Sequence, residues 1–261
     1  MSIEPLSGKT FLIITGASRG IGQQISETFS SLLERGSFTL LLARDAELLE
    51  SVLLTVKKFV DADFEAIDLG VATTIQLKAV ITKALEKCKE KKFDRLVLVH
   101  NVGAMGDLSI RTEQMTSFED WRSYYDLNVF SVATLNGVAL NLFNDKSIRK
   151  VVINITSLCA ISPMKSMGFY CSGKAAREMY FKVFALENPD VDVLNYAPGP
   201  VDTDMLQSVV RDAKDTEVKE SFNTLLTKGT VLSTKETVNR LLEILQTHKY
   251  KSGDHVDYYD E

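Results

Sequence analysis

The sequence has little of what staples a small domain or holds a metal. Its three cysteines, Cys88, Cys159 and Cys171, form no C-x-x-C pair and leave an odd count. That argues against a disulfide framework and for a reducing compartment. The three histidines, His100, His248 and His255, lack the spacing of metal ligands, so no metal site is expected. No apolar run approaches the ~20 residues a membrane helix needs. The start, Met-Ser-Ile-Glu-Pro-Leu-Ser-Gly-Lys, has no charged segment followed by a long apolar one, so no signal peptide is visible. Net charge is −5 and there is no basic block of nucleic-acid-binding type. The mild lysine cluster at 87–92 reads as the solvated end of a helix. No repeat, low-complexity tract or linker interrupts the chain. The expectation is one soluble, cytoplasmic domain over residues 1–261 that acts on a small molecule, with no nucleic acid and no membrane as partner.

What is present is a 45% hydrophobic composition over 261 residues, enough for a large core, and an alternation of short apolar runs with helical patterns. Buried strands are expected at 10–15, 38–43, 64–67, 95–100, 150–156 and 191–196. Helices are expected at 21–35, 46–59, 71–89, 117–143, 167–187 and 234–247, with Ser117 and Ser233 as N-caps. Continuous apolar strands separated by helices imply a parallel sheet covered on both faces. The fold class is therefore α/β, a single-domain, Rossmann-like doubly wound parallel sheet with ligands at the carboxyl ends of its strands. The stretch 203–230 is more polar and less regular. It reads either as a lid over the substrate or as a surface insertion.

The run Thr15-Gly16-Ala17-Ser18-Arg19-Gly20-Ile21-Gly22 follows the first strand and opens the first helix. Glycines there permit a sharp turn and close approach to a phosphate, and the helix start offers unpaired N–H groups and a positive dipole end. The second strand ends Leu42-Ala43-Arg44. A nicotinamide enzyme that uses NAD usually has a carboxylate at this place. Arg44, with Arg19 opposite, can instead pair with a 2′-phosphate. Asp45 follows immediately and would repel it, yet the two arginines favour NADPH. Asp68-Leu69, after the third strand, is placed to meet the adenine. His100-Asn101-Val102-Gly103 follows the fourth strand and would pass beneath the cofactor.

Tyr170 and Lys174 stand at i and i+4 on one helix face, with Ser157 in the loop after the fifth strand. A free tyrosine has a pKa of about 10, too high for proton transfer at neutral pH. An ammonium at ~4 Å in an effective dielectric of ~20 would favour the phenolate by roughly 4 kcal/mol, or about three pK units before desolvation. Tyr170 would then donate a proton to a carbonyl oxygen, Ser157 would hydrogen-bond that oxygen as it gains charge, and Lys174 would also hold the nicotinamide ribose. Asn128, within the helix after Ser117, could hold a water that links Lys174 to solvent.

These residues resemble the short-chain dehydrogenase/reductase family over essentially the whole chain. Thr-Gly-x-x-x-Gly-x-Gly stands at 15–22 and Tyr-x-x-x-Lys at 170–174, and the serine and asparagine of the family's catalytic set fall on Ser157 and Asn128. The usual Asn-Asn-Ala-Gly reads His100-Asn101-Val102-Gly103, which puts the side-chain hydrogen bonds of its first position in question.

A closer resemblance, to the branch of that family that reduces pterin ketones, is carried by further segments. These are Ser157-Leu158-Cys159-Ala160, Tyr170-Cys171-Ser172-Gly173-Lys174-Ala175-Ala176-Arg177, Leu194-Asn195-Tyr196-Ala197-Pro198-Gly199-Pro200, Asp202-Thr203-Asp204-Met205 and the tail 251–260. The resemblance implies NADPH-dependent reduction of pterin side-chain ketones, the last steps of tetrahydrobiopterin synthesis. It also implies a homodimer joined through the helices at 117–143 and 167–187. It makes the tail, 251–261, a substrate anchor in which Asp257 accepts two hydrogen bonds from the pterin ring. Gly199 and the run Val201, Asp202, Thr203, Asp204, Met205 and Leu206 would line the nicotinamide and substrate mouth, with Leu158 beside the substrate. Cys159 and Cys171 are assigned to packing. A broad carbonyl or diketone reductase, and a nucleotide sensor without turnover, are the rival functions.

Overall fold

In the computed structural model, which describes residues 3–260, seven parallel strands form one sheet in the order β3-β2-β1-β4-β5-β6-β7. They are β1 (Thr10–Thr15), β2 (Phe38–Ala43), β3 (Asp61–Ala66), β4 (Arg95–His100), β5 (Arg149–Ile155), β6 (Val191–Ala197) and β7 (His255–Asp257). The helices are α1 (Gly20–Leu32), α2 (Ala46–Val56), α3 (Thr74–Lys87), α4 (Phe118–Tyr125), α5 (Ser131–Leu142), α6 (Gly168–Glu187), α7 (Asp204–Asp212), α8 (Thr216–Thr227) and α9 (Thr234–Thr247). No helix among the described residues is long and apolar enough to cross a membrane.

Successive side chains of a strand point to opposite faces of the sheet, and β1 divides its residues accordingly. Leu12 and Ile14 join a core with Ile25 and Phe29 of α1, Val52 of α2 and Leu241 of α9. Phe11 and Ile13 join a second core with Ile81 of α3, Leu135 of α5 and Phe181 of α6. The central strands are buried on both sides, which is why they read as continuous apolar runs. The edge strand β3 faces water along part of its length and reads Asp-Ala-Asp-Phe-Glu-Ala. Only its apolar end is recognisable in the sequence, so the strand starts at Asp61, before the expected boundary.

Side chains set several helix starts. Asp45 accepts from the Leu48 N–H at the head of α2. Capping boxes, Thr73 with Gln76 and Ser233 with Glu236, open α3 and α9. The helix expected over 117–143 is divided, because α4 and α5 are joined by a π-helical turn at Asp126–Phe130. The stretch 203–230 is more regular than its composition implied: it forms α7, capped by Thr203, and α8, capped by Asp215. β7, which the sequence did not reveal, pairs with β6 in the register Ala197↔Asp257 and brings the tail to the rim of the sheet. Leu241 is fully buried between α9 and the sheet. Leu241→Ala is expected to cost about 2–5 kcal/mol, read as a lower urea midpoint at an unchanged denaturant slope.

Candidate active site

Parallel strands deliver their carboxyl ends to one rim, and a cleft of about 1850 Å³ opens there. That volume exceeds an ordinary small-ligand pocket, and one continuous wall runs from Arg44 past Ser157 and Tyr170 to Asp257. Of the residues singled out by the sequence, Gly16, Ser18, Arg19, Gly20, Ile21, Ala43, Arg44, Leu69, Asn101 and Gly103 line the cleft. So do Ser157, Leu158, Tyr170, Lys174, Gly199, Asp257 and all of Val201, Asp202, Thr203, Asp204, Met205 and Leu206.

Four others, Ala17, Gly22, Asp68 and Asn128, are not part of its lining. Ala17 is fully buried, its N–H bonded to the Leu42 carbonyl. Gly22 packs α1 against the glycine turn: a Cβ there would lie 2.1 Å from the Gly16 carbonyl oxygen and 2.5 Å from Asn101 Nδ2. Asp68 closes a local turn by accepting from the Gly70 N–H, and faces Arg44 at 3.9 Å. Asn128 sits in the π-helical turn, where its Oδ1 accepts from the Ala104 N–H at 2.8 Å and its Nδ2 donates to the Tyr124 carbonyl at 2.8 Å. Its amide therefore braces the loop after β4.

The glycine turn fits a pyrophosphate. Gly16 has φ +65°, a conformation that glycine adopts without steric cost. The N-cap of α1 is Arg19, which makes no side-chain cap bond, unlike the capped heads of α2, α3 and α9. The first N–H groups of α1 are thus left for a ligand. Asn101 holds the turn in place by donating from Nδ2 to the carbonyls of Thr15 and Gly16, at 3.2 and 3.1 Å. Beyond β2, Arg44 is largely exposed, while the Asp45 carboxylate caps α2 and so is directed into its own helix. Arg19 forms an ion pair with Asp204 at the head of α7, at 3.0 Å.

At the other end of the cleft, Lys174 is buried and donates from Nζ to the Ile155 carbonyl at 2.6 Å. Nζ lies 5.5 Å from the Tyr170 ring centroid. The lowering of the phenol expected from this ammonium is outweighed by burial. Burial pushes Tyr170 well above its ordinary value; Cys159 adds to the rise, and the Ser157 hydrogen bond and the Arg177 charge only partly oppose it. Burial, and then the charge of Arg177, hold Lys174 well below the ordinary lysine value. Burial thus favours the neutral form of both groups. Ser157, extended at the end of β5, accepts from the Cys159 N–H, and that contact orients its hydroxyl.

Arg177 was not anticipated. It is almost completely buried, one helical turn beyond Lys174, and donates to the carbonyls of Val102 and His100 and to Asn154 Oδ1, at 2.7, 2.8 and 2.7 Å. A helical arginine reads as a surface residue, although its i+3 spacing from Lys174 already put it on the catalytic face. It braces through the backbone the loop that His100 does not brace with its side chain. The imidazole of His100 instead turns into the core, 3.4 Å from Asn136 Oδ1 and tilted on Phe181.

An uncapped helix start after a glycine turn, facing a buried Tyr–Lys pair and the half-buried Ser157 across one cleft, defines an oxidoreductase that uses a nicotinamide dinucleotide and works at a carbonyl or alcohol carbon. The chain belongs to the short-chain dehydrogenase family, whose model matches residues 10–214. A sepiapterin reductase of Rattus norvegicus is 36% identical over 257 residues, which cover 97% of each chain. A short-chain dehydrogenase/reductase of Saccharomyces cerevisiae superposes with a TM-score of 0.81 at 25% identity, over 97% of both chains. A 7α-hydroxysteroid dehydrogenase complexed with NADH does so with a TM-score of 0.77 at 25% identity, over 98% of this chain and 94% of that one.

Burial first, and then Arg177, hold the His100 imidazole at about 3 against an ordinary 6.5. The unfolded chain therefore binds the extra proton between those values, and stability falls as pH drops through that window, by up to about 1.4 kcal/mol per unit. His100→Asn is expected to flatten the decline in urea-derived stability between neutral pH and pH 4. An unchanged slope would show that His100 is not its source.

Proposed function

We propose that this protein reduces the side-chain ketones of pterins with NADPH, converting sepiapterin to dihydrobiopterin and 6-pyruvoyl-tetrahydropterin to tetrahydrobiopterin. The observation that carries the reading is the position of Asp257. β7 sets this carboxylate on the same cleft as Ser157 and Tyr170, where a flat ring bearing adjacent N–H donors can meet it. The similarity to sepiapterin reductases along nearly the whole chain supports the same substrate.

NADPH, when bound, supplies a hydride to the carbonyl carbon. Tyr170, protonated in its buried setting, gives its proton to the carbonyl oxygen, so a ketone becomes a secondary alcohol. Ser157 donates a hydrogen bond to that oxygen, a contact that strengthens as negative charge builds there. Lys174 holds the ribose and, beside the product phenolate, becomes the charged partner that burial otherwise disfavours. The glycine turn and the head of α1 hold the pyrophosphate, and Asn128 acts by keeping the loop after β4 in place. NADPH is preferred over NADH because Arg19 and Arg44 line the cleft with largely exposed side chains whose ion pairs with Asp204 and Asp68 a 2′-phosphate can replace, while Asp45 is engaged at the head of α2. α7 and α8 cover the mouth as a lid.

The same reading makes the protein a cytoplasmic homodimer. Its three cysteines are free thiols, which suits a reducing compartment. Met179, Val183 and Leu186 expose apolar side chains along α6, and Phe118 and Phe130 do so at α4 and the π-helical turn that follows it. A second copy would cover them.

Mixing the protein with NADPH and sepiapterin and following the loss of NADPH absorbance tests the activity directly; no oxidation would favour a nucleotide sensor. Tyr170→Phe is expected to lower kcat by about 100- to 10,000-fold while NADPH still binds. Asp257→Asn is expected to raise KM for sepiapterin by about tenfold or more. If that variant turns over sepiapterin unchanged and also reduces simple diketones, the protein is a broad carbonyl reductase instead.

A further inference from the structure

α6 carries the proton donor, and the tail carries Asp257. The two are joined by buried polar contacts from neighbouring residues of α6. Arg177 donates from Nε and a terminal nitrogen to Asn154 Oδ1; Asn154 Nδ2 donates to Asn195 Oδ1 at 2.9 Å, and Asn195 Nδ2 donates to the Gly253 carbonyl at 3.0 Å. Beside it, one oxygen of Glu178 receives two donors. The Thr156 hydroxyl reaches Oε2 at 2.8 Å, and His255 Nδ1 reaches the same oxygen at 2.8 Å. The other oxygen pairs with Lys182 at 2.7 Å. Thr156 immediately precedes Ser157, and His255 lies two residues before Asp257.

The spacing matters because β7 is weakly specified. It is a three-residue strand at the edge of the sheet, with partly exposed residues throughout. A slip of one residue would turn Asp257 to the opposite face. Residues i and i+2 of a strand share a face, so whatever holds His255 also holds Asp257. Burial by itself would raise the Glu178 carboxyl, but hydrogen bonds from His255, Lys182 and Thr156 outweigh it and keep the group below its ordinary value. A carboxylate so held is a rigid acceptor, and because it accepts, Nδ1 of His255 is the donor in this contact.

We propose that His255, gripped by Glu178, is a positioning residue that fixes the register of β7 and so sets Asp257 against the cleft in line with Ser157 and Tyr170. The inference rests on the reading of Asp257 as the pterin anchor. His255 touches no reacting atom; it determines how well the ring is received, and Glu178 ties that position to the loop of Ser157 through Thr156.

The test uses the full-length protein saturated with NADPH, with two readouts: steady-state kinetics on sepiapterin, and fluorescence titration with pterin, which has the ring but no ketone. His255→Phe keeps the planar bulk and removes the donor. It is expected to raise both KM for sepiapterin and Kd for pterin by about tenfold, with kcat changed by less than about twofold. His255→Asn, whose amide nitrogen can take the place of Nδ1, is expected to restore both. His255→Gln, which displaces the donor by one bond, is expected to behave like the phenylalanine variant and carries the test should that one not fold. Wild-type KM and Kd in His255→Phe or His255→Gln, with both constants raised in Asp257→Asn, would overturn the role of His255 and leave the anchor standing. Unchanged constants in Asp257→Asn would overturn the anchor itself, and this inference with it. A fall in kcat without a rise in KM would also overturn it.

Discussion

A parallel sheet covered on both faces can present polar groups to a ligand only at its strand ends, and this constraint organises the molecule. Strands run in one direction because each crossover passes through a helix, and helices occupy both faces. The loops after β1, β2, β4, β5 and β6 are thereby forced onto the same rim, although up to about 180 residues of sequence separate Gly16 from Gly199. Dinucleotide seat and proton donor face each other for that reason, with no direct bond required between them.

Within that frame the catalytic end is unusually rich in buried polar groups. Lys174, Arg177 and Glu178 are consecutive on one face of α6, and all are buried. Each is satisfied by a neighbour at a strand end: Ile155, Asn154 with the His100–Val102 loop, and Thr156 with His255. Buried charge is costly unless it is paired or hydrogen-bonded, so these contacts hold only in one arrangement of helix, sheet and tail. The result is a site whose geometry is set by the packing of helix, sheet and tail. Burial sets its electrostatics, raising the Tyr170 phenol and lowering the Lys174 ammonium so that each favours its neutral form.

Much of this was legible in the sequence. β1, β2, β4 and β6 stand out because both faces of each are apolar, and α3 and α9 because their caps are written in side chains. The glycine turn, Ser157, Tyr170 and Lys174 were legible because local spacing decides which of them share a turn or a helix face. Asp45 was misleading for a physical reason: a carboxylate after a strand can bind a ribose or cap the next helix, and both uses have the same sequence. The helices of region 203–230 were not legible because an exposed helix in polar surroundings has only a narrow apolar stripe, as in α7 with Leu206 and Val209.

By itself, the sequence determined the period of each segment, the caps, and the glycine positions where a side chain cannot fit, because these depend on residues within a few positions of one another. Only the tertiary structure decided which partners Arg177, Glu178, Asn128 and His255 meet. Each is a polar residue whose meaning lies in a partner on another element, Asn128 some 24 residues from the loop it braces and His255 77 residues from the carboxylate that holds it. It also decided the direction in which the Tyr170 phenol is shifted, since a pKa answers to desolvation by every packed neighbour and not to the lysine one turn away alone.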